Sequence, residues 1–499
     1  MNRSKTMPID IFSPEPYFPM NRLCVAMWIC FCAHLLCAVE LPQPMNVIMI
    51  VVDDLGYADI SCAEMAKDVQ TPNIDQLAKQ GIRFTQAYAT APICNASRIS
   101  LITGCYQQRQ GQYWYSGPGL HDPKYVTIAE VLKQRGYTTG YVGKYHHGGS
   151  DGADGRGFPM NHGFDQFFGF SGGTKHYLHH AKKYGSSMLH EGPMWVQREQ
   201  QDVEGFTTDL FGKKSREFIR ESKAKPFYLH LSFNAVHNFT HQLPLEYLRE
   251  KGLEEILDVK KGENYSKWRE KIGYPAHPKG RDYYLGQLHF LDREIGLLMT
   301  ELKEQALIDR TLIILVSDNG GSLVTYANNG ELKGGKYTLF EGGTRVPLII
   351  SYPSALNTNS VSASVVSTMD LFPTICTLTG TGIPEGLDGI DISRLLKGHQ
   401  QSTNSRALYW DTKAERSVRK GKWKLLITNK TPNEDLQIVD SPKGMFLYNL
   451  ELDAGETTNR LSEYPEIAKE LNLDLDNWQA SVAGGKKTKP NNPVADDGE

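Results

Sequence analysis

The stretch Asn46-Val47-Ile48-Met49-Ile50-Val51-Val52, followed by Asp53-Asp54, decides the fold. Apart from Asn46 the run is apolar and rich in β-branched side chains, which is typical of a strand buried on both faces of a parallel α/β sheet. The two carboxylates that follow would repel each other unless a cation lay between them. Open α/β sheets place their sites at the carboxyl ends of strands, so we expect a metal ion at Asp53 and Asp54 rather than an exposed turn.

Polar residues also follow three later predicted strands. The motifs are Lys144-Tyr145-His146 after residues 137–142, Asn234-Ala235-Val236-His237 after residues 226–233, and Ser317-Asp318-Asn319 after residues 311–316. Carboxylate and amide oxygens suit Ca²⁺ or Mg²⁺, a lysine can hold an anion, and a histidine can transfer protons near neutral pH. The alternatives are a solvated lysine and a histidine satisfied within the core.

Cys94 stands where a predicted loop enters a helix. The small polar residues 95–97 lead into apolar Ile99, Leu101 and Ile102, with Arg98 about one turn from the cysteine. Free backbone N–H groups at a helix N-terminus, together with Arg98, would stabilise an anion at this position. The ordinary alternative is a small buried cysteine with no chemistry.

The composition is that of a globular protein with more than one core. The 499 residues suggest one large domain and one smaller one. A net charge of −3 gives no general affinity for nucleic acid. Four of the eight cysteines lie in one apolar N-terminal run, so the remaining four (Cys62, Cys94, Cys105 and Cys376) do not make a disulfide-rich scaffold.

The N-terminus predicts export to the periplasm or the extracellular space. Residues 23–39 are apolar apart from His34 and end in small residues, which is typical of the apolar region of a secretory signal. We therefore assign residues 1–40 to a signal peptide region, with Met20 as an alternative start. A retained membrane anchor, or a lipid anchor at Cys37, is the alternative.

Three further segments follow the signal region. We predict a catalytic domain over residues 41–385, ending in a Gly- and Pro-rich linker near residues 380–389. Residues 386–483 contain four short predicted strands and a final helix, which indicates an α+β subdomain on an antiparallel sheet. The polar residues 484–499 are predicted to be a disordered tail.

Several of these segments resemble type I, formylglycine-dependent sulfatases, and the matches cover most of residues 46–350 in the order found in that family. The matching motifs are Cys94-Asn95-Ala96-Ser97-Arg98 with Leu101-Ile102-Thr103-Gly104, then Gly143-Lys144-Tyr145-His146-His147-Gly148, and the segment of residues 332–347 that contains Lys336. Ala96 stands where the family more often has proline. The resemblance implies an alkaline-phosphatase-like α/β sandwich with a large, mostly parallel sheet.

The resemblance also implies a site and a mechanism. Cys94 would be oxidised to 3-oxoalanine (formylglycine) by a formylglycine-generating enzyme. Calcium, rather than magnesium, would be held by Asp53, Asp54, Asp318, Asn319 and residue 94. A hydroxyl of hydrated formylglycine, supported by Arg98, would attack the sulfur of the substrate, and the second hydroxyl would allow sulfate to be expelled. The remaining roles are charge neutralisation by Lys144 and Lys336, protonation of the leaving alcohol by His237, and proton acceptance by His146.

An exported sulfatase implies a sulfated polysaccharide or oligosaccharide as substrate, with no nucleic acid or stable membrane partner. We expect residues 113–115 and the loop at residues 177–180, both rich in aromatic or histidine side chains, to face that substrate. The alternative is that they are ordinary packing or surface segments. One alternative is a phosphatase or phosphodiesterase of the same superfold, which would need a Ser or Thr nucleophile and a second metal with histidine ligands. The other is a non-catalytic protein that binds sulfated glycans and keeps Cys94 unconverted.

Overall fold

The computed structural model describes residues 44–148, 152–173, 177–179, 193–259, 263–354, 356, 358–399, 403–429 and 443–483. The predicted signal region (residues 1–40), the predicted tail (residues 484–499) and His180 lie outside the described residues. Within the described part, no helix combines the length and the apolarity that crossing a bilayer requires.

The described part alternates strands and helices along most of its length. The strands are β1 (Asn46–Val52), β2 (Gly81–Tyr88), β3 (Thr138–Lys144), β4 (Gln166–Phe170), β5 (Leu178–His179), β6 (Met194–Val196), β7 (Glu199–Gln201), β8 (Gly205–Phe206), β9 (Phe227–Ser232), β10 (Thr311–Ser317), β11 (Arg345–Ser351), β12 (Ser360–Ser367), β13 (Ala407–Asp411), β14 (Glu415–Lys420), β15 (Trp423–Thr428) and β16 (Gly444–Asn449). The helices are α1 (Pro72–Lys79), α2 (Cys94–Thr103), α3 (Ile128–Gln134), α4 (Thr207–Ser222), α5 (Leu245–Lys251), α6 (Tyr265–Lys271), α7 (Gly280–Glu304), α8 (Glu341–Thr344), α9 (Leu371–Thr379), α10 (Ser393–Leu396) and α11 (Pro465–Val482).

Ten strands form one large sheet in the order β12-β2-β11-β10-β1-β9-β3-β4-β6-β7. The central strands β10, β1, β9, β3 and β4 run parallel to one another. Val52 of β1 pairs with Ser317 of β10, so Asp53 and Asp318 follow neighbouring strand ends. Ser232 of β9 pairs with Gly143 of β3, which places Lys144 at the same edge. The prediction of a large, mostly parallel sheet in an α/β sandwich is confirmed.

The sheet is covered on both faces, as its apolar strands require. In β1, Ile48, Ile50 and Val52 join one core with residues of α1, α4 and α7, whereas Val47, Met49 and Val51 join a second core with residues of α3 and α9. This alternation follows from the two-residue period of a strand. Burial on both faces leaves only the strand ends for polar chemistry.

A second, four-stranded antiparallel sheet has the order β13-β14-β15-β16. One of its faces packs against α11 through Val418, Leu425 and Leu447. Residues of its other face pack with Tyr88 and Phe340 from the chain around the large sheet. The predicted antiparallel subdomain is confirmed as architecture, and the boundary at residues 385 and 386 stays a prediction.

A short helix precedes the long helix α7. It is α6, which runs from Tyr265 to Lys271, whereas α7 begins at Gly280. The side chain of Asn264 caps α6 by accepting a hydrogen bond from the backbone N–H of Lys267 at 2.9 Å. Trp268 anchors the short helix because only 4 % of it is exposed. The four cysteines of the described part are free thiols.

Candidate active site

Ten side chains predicted from the sequence lie buried at one edge of the large sheet and in the loops above it. They are Asp53, Asp54, Cys94, Arg98, Lys144, His146, His237, Asp318, Asn319 and Lys336. Asp54 has a φ of 59°, in the left-handed region that non-glycine residues seldom adopt. Such backbone strain is common where a site fixes the direction of a side chain.

Three carboxylates meet three cations in this site. Lys144 Nζ lies 2.6 Å from Asp53 Oδ2, and Lys336 Nζ lies 3.0 Å from Asp54 Oδ2. Arg98 Nη2 lies 2.8 Å from Asp318 Oδ2 and 3.6 Å from Asp53 Oδ1. Since burial makes an isolated charge very costly, this pairing is what allows the charges to be ionised in the interior.

The pKa values of Asp53 and Asp318 are shifted in opposite directions. Burial acts to raise the pKa of Asp53, but the positive charge of Lys144, with those of Arg98 and Lys336, outweighs it and holds that pKa far below its usual value. Burial raises the pKa of Asp318 to about 7 despite the opposing effect of Arg98. An added divalent cation would favour ionised Asp318, because a nearby positive charge stabilises a carboxylate.

Arg98 connects several elements of the site. Its Nη1 donates to the carbonyl oxygen of Lys144 at 3.1 Å and to Ser232 Oγ at 2.5 Å. Its Nε donates to Asp318 Oδ2 at 2.8 Å. The guanidinium thus joins helix α2 to the ends of β3, β9 and β10. Ser232 was not singled out from the sequence, because the strand predicted over residues 226–233 places it inside the strand and not beyond its end.

The oxygen atoms around Asn319 fit a hard cation. Asp318 Oδ1 accepts hydrogen bonds from the backbone N–H groups of Asp54 at 3.2 Å and Asn319 at 3.0 Å. Asn319 Nδ2 donates to Asp54 Oδ1 at 2.7 Å. Asn319 Oδ1 and Asp53 Oδ1 are buried without a hydrogen-bond partner. Two such oxygens beside ionised carboxylates are a donor set that Ca²⁺ or Mg²⁺ prefers.

Cys94 is the first residue of α2, as its loop-to-helix sequence predicted. Cys94, Asp53, Asp54 and His237 each offer a ligand atom, and these four atoms lie within 4.8 Å of one another. Asp318 is not in that group. Burial raises the pKa of the Cys94 thiol to about 12, against Lys144 and Lys336. The unmodified thiol is therefore protonated at neutral pH and a weak nucleophile, despite the helix N-terminus and Arg98.

Both predicted histidines are neutral. His237 Nε2 lies 2.9 Å from Lys336 Nζ, and burial together with Lys336 lowers the pKa of His237 to about 3. Because the Lys336 ammonium donates, Nε2 is the acceptor of this hydrogen bond. Burial together with Lys144 and Arg98 lowers the pKa of His146 well below its usual value. His146 is thus unprotonated at neutral pH, which is the state that a proton acceptor requires.

The loop that carries His237 is held from below by Tyr177. The Tyr177 hydroxyl donates to the carbonyl oxygens of Asn234 at 2.6 Å and His237 at 3.0 Å. Tyr177 is completely buried. The expectation that residues 177–180 form a substrate-facing loop is therefore wrong for Tyr177, which supports the site from within the protein.

The aromatic segment at residues 113–115 lies beside Cys94. Trp114 and Tyr115, both half-buried, pack with Tyr337 against the cluster that contains Cys94. Asn95 Nδ2 donates to the carbonyl oxygen of Tyr115 at 2.7 Å, which fastens this segment to the first turn of α2. That these aromatic rings face substrate stays a prediction.

A pocket opens onto this site. Its lining comprises Asp54, His237, Asn238, Arg269, Tyr274, Ser322, Val324, Thr325, Lys336 and Tyr337. Arg269 and Tyr274 were not singled out from the sequence. Arg269 directly follows Trp268, but a charged residue next to an aromatic one is common at protein surfaces and does not indicate a binding role.

The fold and the site together define a hydrolase built on an α/β sandwich, and comparison with known proteins gives its family. The sulfatase family model matches residues 45–381, more than half of the chain. A model described as the C-terminal region of N-sulphoglucosamine sulphohydrolase matches residues 335–481. The chain belongs to the sulfatase family and is a sulfuric ester hydrolase.

The chain is similar to sulfatases along most of its length. It is 28 % identical to arylsulfatase A of Homo sapiens, over 89 % of this chain and 90 % of that protein. It is 27 % identical to N-acetylgalactosamine-6-O-sulfatase of Bacteroides thetaiotaomicron, over 86 % of this chain and 92 % of that protein. A crystal structure of Ps i-CgsB in complex with k-i-k-neocarrahexaose is 28 % identical, covers 87 % of this chain and 93 % of its own, and superposes with a TM-score of 0.72.

Proposed function

We propose that the protein hydrolyses sulfate esters of a sulfated polysaccharide or oligosaccharide, with residue 94 acting as formylglycine. The observation that carries this proposal is the position of Cys94, at the start of α2 and within one buried group with Asp53, Asp54 and His237. A protonated thiol is a poor nucleophile there. Formylglycine, once hydrated, supplies one hydroxyl to attack the sulfur and a second that permits elimination of sulfate, which a serine does not offer.

Calcium is the metal that we propose, in preference to magnesium. Asp53, Asp54, Asp318 and Asn319 would hold it, together with an oxygen of residue 94. The all-oxygen set supports this choice, because calcium tolerates the irregular, higher coordination that magnesium avoids. When bound, the cation supplies a positive charge that favours deprotonation of a hydroxyl at residue 94.

The remaining side chains bind sulfate and move protons. Lys144 and Lys336 neutralise charge on the sulfate oxygens, and buried ammonium groups do so strongly because water is excluded. Arg98 holds the Asp53 and Asp318 carboxylates in place. Lys336 Nζ donates a hydrogen bond to His237 Nε2, so a proton of the Lys336 ammonium would pass through this contact to the leaving alcohol. Neutral His146 accepts the proton that must leave residue 94 before sulfate is expelled.

A sulfated carbohydrate is the substrate class that the relatives favour. One relative is named an N-acetylgalactosamine-6-O-sulfatase, and a structural neighbour of 28 % identity is in complex with k-i-k-neocarrahexaose. The apolar residues 23–39 support export, which would bring the enzyme to polysaccharides outside the cytoplasm. A formylglycine-generating enzyme is the partner that maturation would require. The phosphatase alternative is disfavoured because residue 94 is neither Ser nor Thr.

The test measures both the conversion of Cys94 to formylglycine and the release of sulfate from substrates. The chain is produced with a formylglycine-generating enzyme, and mass spectrometry of the peptide that contains residue 94 measures conversion. Ion chromatography then measures sulfate released from a panel of sulfated oligosaccharides and from a generic aryl sulfate, with Cys94→Ala as control. We expect release by the converted protein and none above background by the variant. A fully converted protein that releases no sulfate from any of these substrates would overturn the proposal.

A further inference from the structure

Arg269 lines the active-site pocket together with Lys336, Asp54 and His237, and it is the second cation of that lining after Lys336. It is half-buried, whereas only 4 % of Lys336 is exposed. The guanidinium carbon lies 4.6 Å from the ring centre of Tyr274, close enough for a cation–π interaction. The Tyr274 hydroxyl donates to Asn238 Oδ1 at 3.0 Å, next to His237 in the chain. Tyr274 therefore supports Arg269 and is itself hydrogen-bonded to the loop that carries His237.

Arg269 and the lysines have different partners. Lys144 Nζ lies 2.6 Å from Asp53 Oδ2 and Lys336 Nζ lies 3.0 Å from Asp54 Oδ2, whereas the Arg269 guanidinium lies over the ring of Tyr274. The lysines are therefore held by the carboxylates of the site, whereas Arg269 is positioned by an aromatic side chain.

A second pocket continues from this wall. It shares Asn238 and Tyr274 with the active-site pocket. The rest of its lining is largely aromatic and includes Phe239, Trp268, Tyr283 and Tyr326. A substrate larger than the sulfated group would thus pass Arg269 and Tyr274 as it extends from one pocket to the next.

We propose that Arg269 binds a second anionic group of the substrate, either a carboxylate or a further sulfate ester, on the sulfated sugar or on the sugar joined to it. This proposal rests on the proposed function. A guanidinium presents a planar pair of N–H donors that matches both kinds of oxyanion. The enzyme would accordingly prefer carbohydrates that carry more than one negative charge per disaccharide.

Matched substrates test the proposal. The formylglycine-bearing, calcium-loaded enzyme is assayed on a 6-sulfated N-acetylgalactosamine disaccharide with a uronate carboxylate, on its carboxyl-reduced counterpart, and on a disulfated counterpart of the reduced form. The variants are Arg269→Gln, which removes the charge, and Arg269→Lys, which keeps it without the planar fork. Lys271→Gln, an exposed lysine on the same helix, is the matched control. Calorimetric Kd values of the same three sugars with Cys94→Ala, alone and combined with Arg269→Gln, provide a readout without turnover.

We expect wild type to prefer at least one doubly charged sugar over the singly charged one by about ten- to hundredfold in kcat/KM or Kd, as for a hydrogen bond between charged groups. Arg269→Gln should bring that ratio close to one, Arg269→Lys should keep part of it, and Lys271→Gln should keep all of it. Whether the carboxylate or the second sulfate gives the preference identifies the anion.

Two results would overturn the proposal that Arg269 binds a second anionic group. One is a wild-type protein without preference for a second charge. The other is an Arg269→Gln variant that loses the same factor on every sugar and on an aryl sulfate, which would assign Arg269 to the reacting sulfate. Absence of turnover by a fully converted enzyme counts against the proposed function alone, because the Kd ratios still report on Arg269.

Discussion

Lys144 Nζ and Asp53 Oδ2 form a 2.6 Å ion pair in which both side chains are completely buried. Removing the lysine leaves a carboxylate in the interior without its nearest cation. We expect Lys144→Met to lower the free energy of unfolding by about 3 kcal/mol, measured by urea denaturation in the presence of a chelator. The matched control is Lys133→Met, whose ion pair with Asp165 has the same 2.6 Å length but leaves 48 % of the lysine exposed. Its loss should cost less than about 1 kcal/mol, and equal losses in the two variants would contradict this account.

Calcium should stabilise the folded protein through Asp53. A ligand that binds only the folded state raises the free energy of unfolding by about 2.7 kcal/mol at 100 times its Kd. We expect this increase for wild type on titration with Ca²⁺, a smaller one with Mg²⁺, and none for Asp53→Asn. Asp165→Asn, at a partly exposed carboxylate just before β4, should respond as wild type does. Thermal or urea unfolding at several metal concentrations measures the effect, and a calcium response retained by Asp53→Asn would argue against the assigned ligands.

His237 should matter most for poor leaving groups. A sugar alkoxide needs a proton as it departs, whereas a phenolate needs it less. We therefore expect His237→Gln to lower kcat/KM on a sugar sulfate by about 10²- to 10⁴-fold and to lower it far less on an aryl sulfate. His289→Gln, at an exposed position, serves as control. A loss of the same size on both substrates would mean that His237 does not assist the leaving group.

Glu456 should make stability depend on pH. Lys424 Nζ lies 3.0 Å from Glu341 Oε1 and from Glu456 Oε1, with all three side chains buried. Burial raises the pKa of Glu456 from 4.5 to about 7 although Lys424 opposes it. Between these two values the folded protein retains a proton that the unfolded chain loses, so the free energy of unfolding falls as pH rises through this window.

Glu456→Gln should remove that dependence. Glutamine keeps the size and polarity of the side chain without a titrating proton. We expect the variant to be more stable than wild type at pH 8, by about 1 to 3 kcal/mol, and the difference to shrink towards pH 5. Urea denaturation over this pH range measures it. A difference that does not change with pH would place the retained proton elsewhere.

Tyr177 offers a test of the support beneath His237. Tyr177→Phe removes the hydroxyl that contacts the carbonyl oxygens of Asn234 and His237. Tyr137→Phe is the matched control, because its buried hydroxyl donates to the carbonyl oxygen of Met45 at 2.7 Å, in a different core. We expect both variants to lose about 1 to 2 kcal/mol of stability, and only Tyr177→Phe to lower kcat. Equal kcat values in the two variants would show that the His237 loop does not need this support.

The part of the site at the strand ends was predictable because regular structure places it. An apolar run marks a buried strand, and parallel neighbours end at the same edge of the sheet, so Asp53 and Asp318 could be expected together before the register of Val52 and Ser317 was known. Cys94 was predictable for a similar reason, because small polar residues leading into an apolar periodicity indicate where a helix begins.

The site residues that the sequence did not predict lie outside long helices and strands, where no regular spacing of apolar residues can be recognised. Arg269 is carried by a helix of seven residues, too short to display an apolar period. Tyr177 stands in a segment rich in histidine and other polar residues, which suggests exposure, and its burial depends on a tertiary contact with the loop at Asn234. The direction of β11, antiparallel to β10, was equally hidden, because the intervening chain returns through the active-site loops instead of a crossover helix.

Only 2 % of Cys94 is exposed, and Trp114, Tyr115 and Tyr337 pack around it. An enzyme that oxidises this side chain has to reach it, and in the folded protein Cys94 lies buried in the first turn of α2. Conversion would therefore have to precede folding, so oxidation and folding compete for each newly made chain. The fraction of active molecules would be set during biosynthesis, by the relative rates of these two processes, and treatment of the folded protein would not raise it.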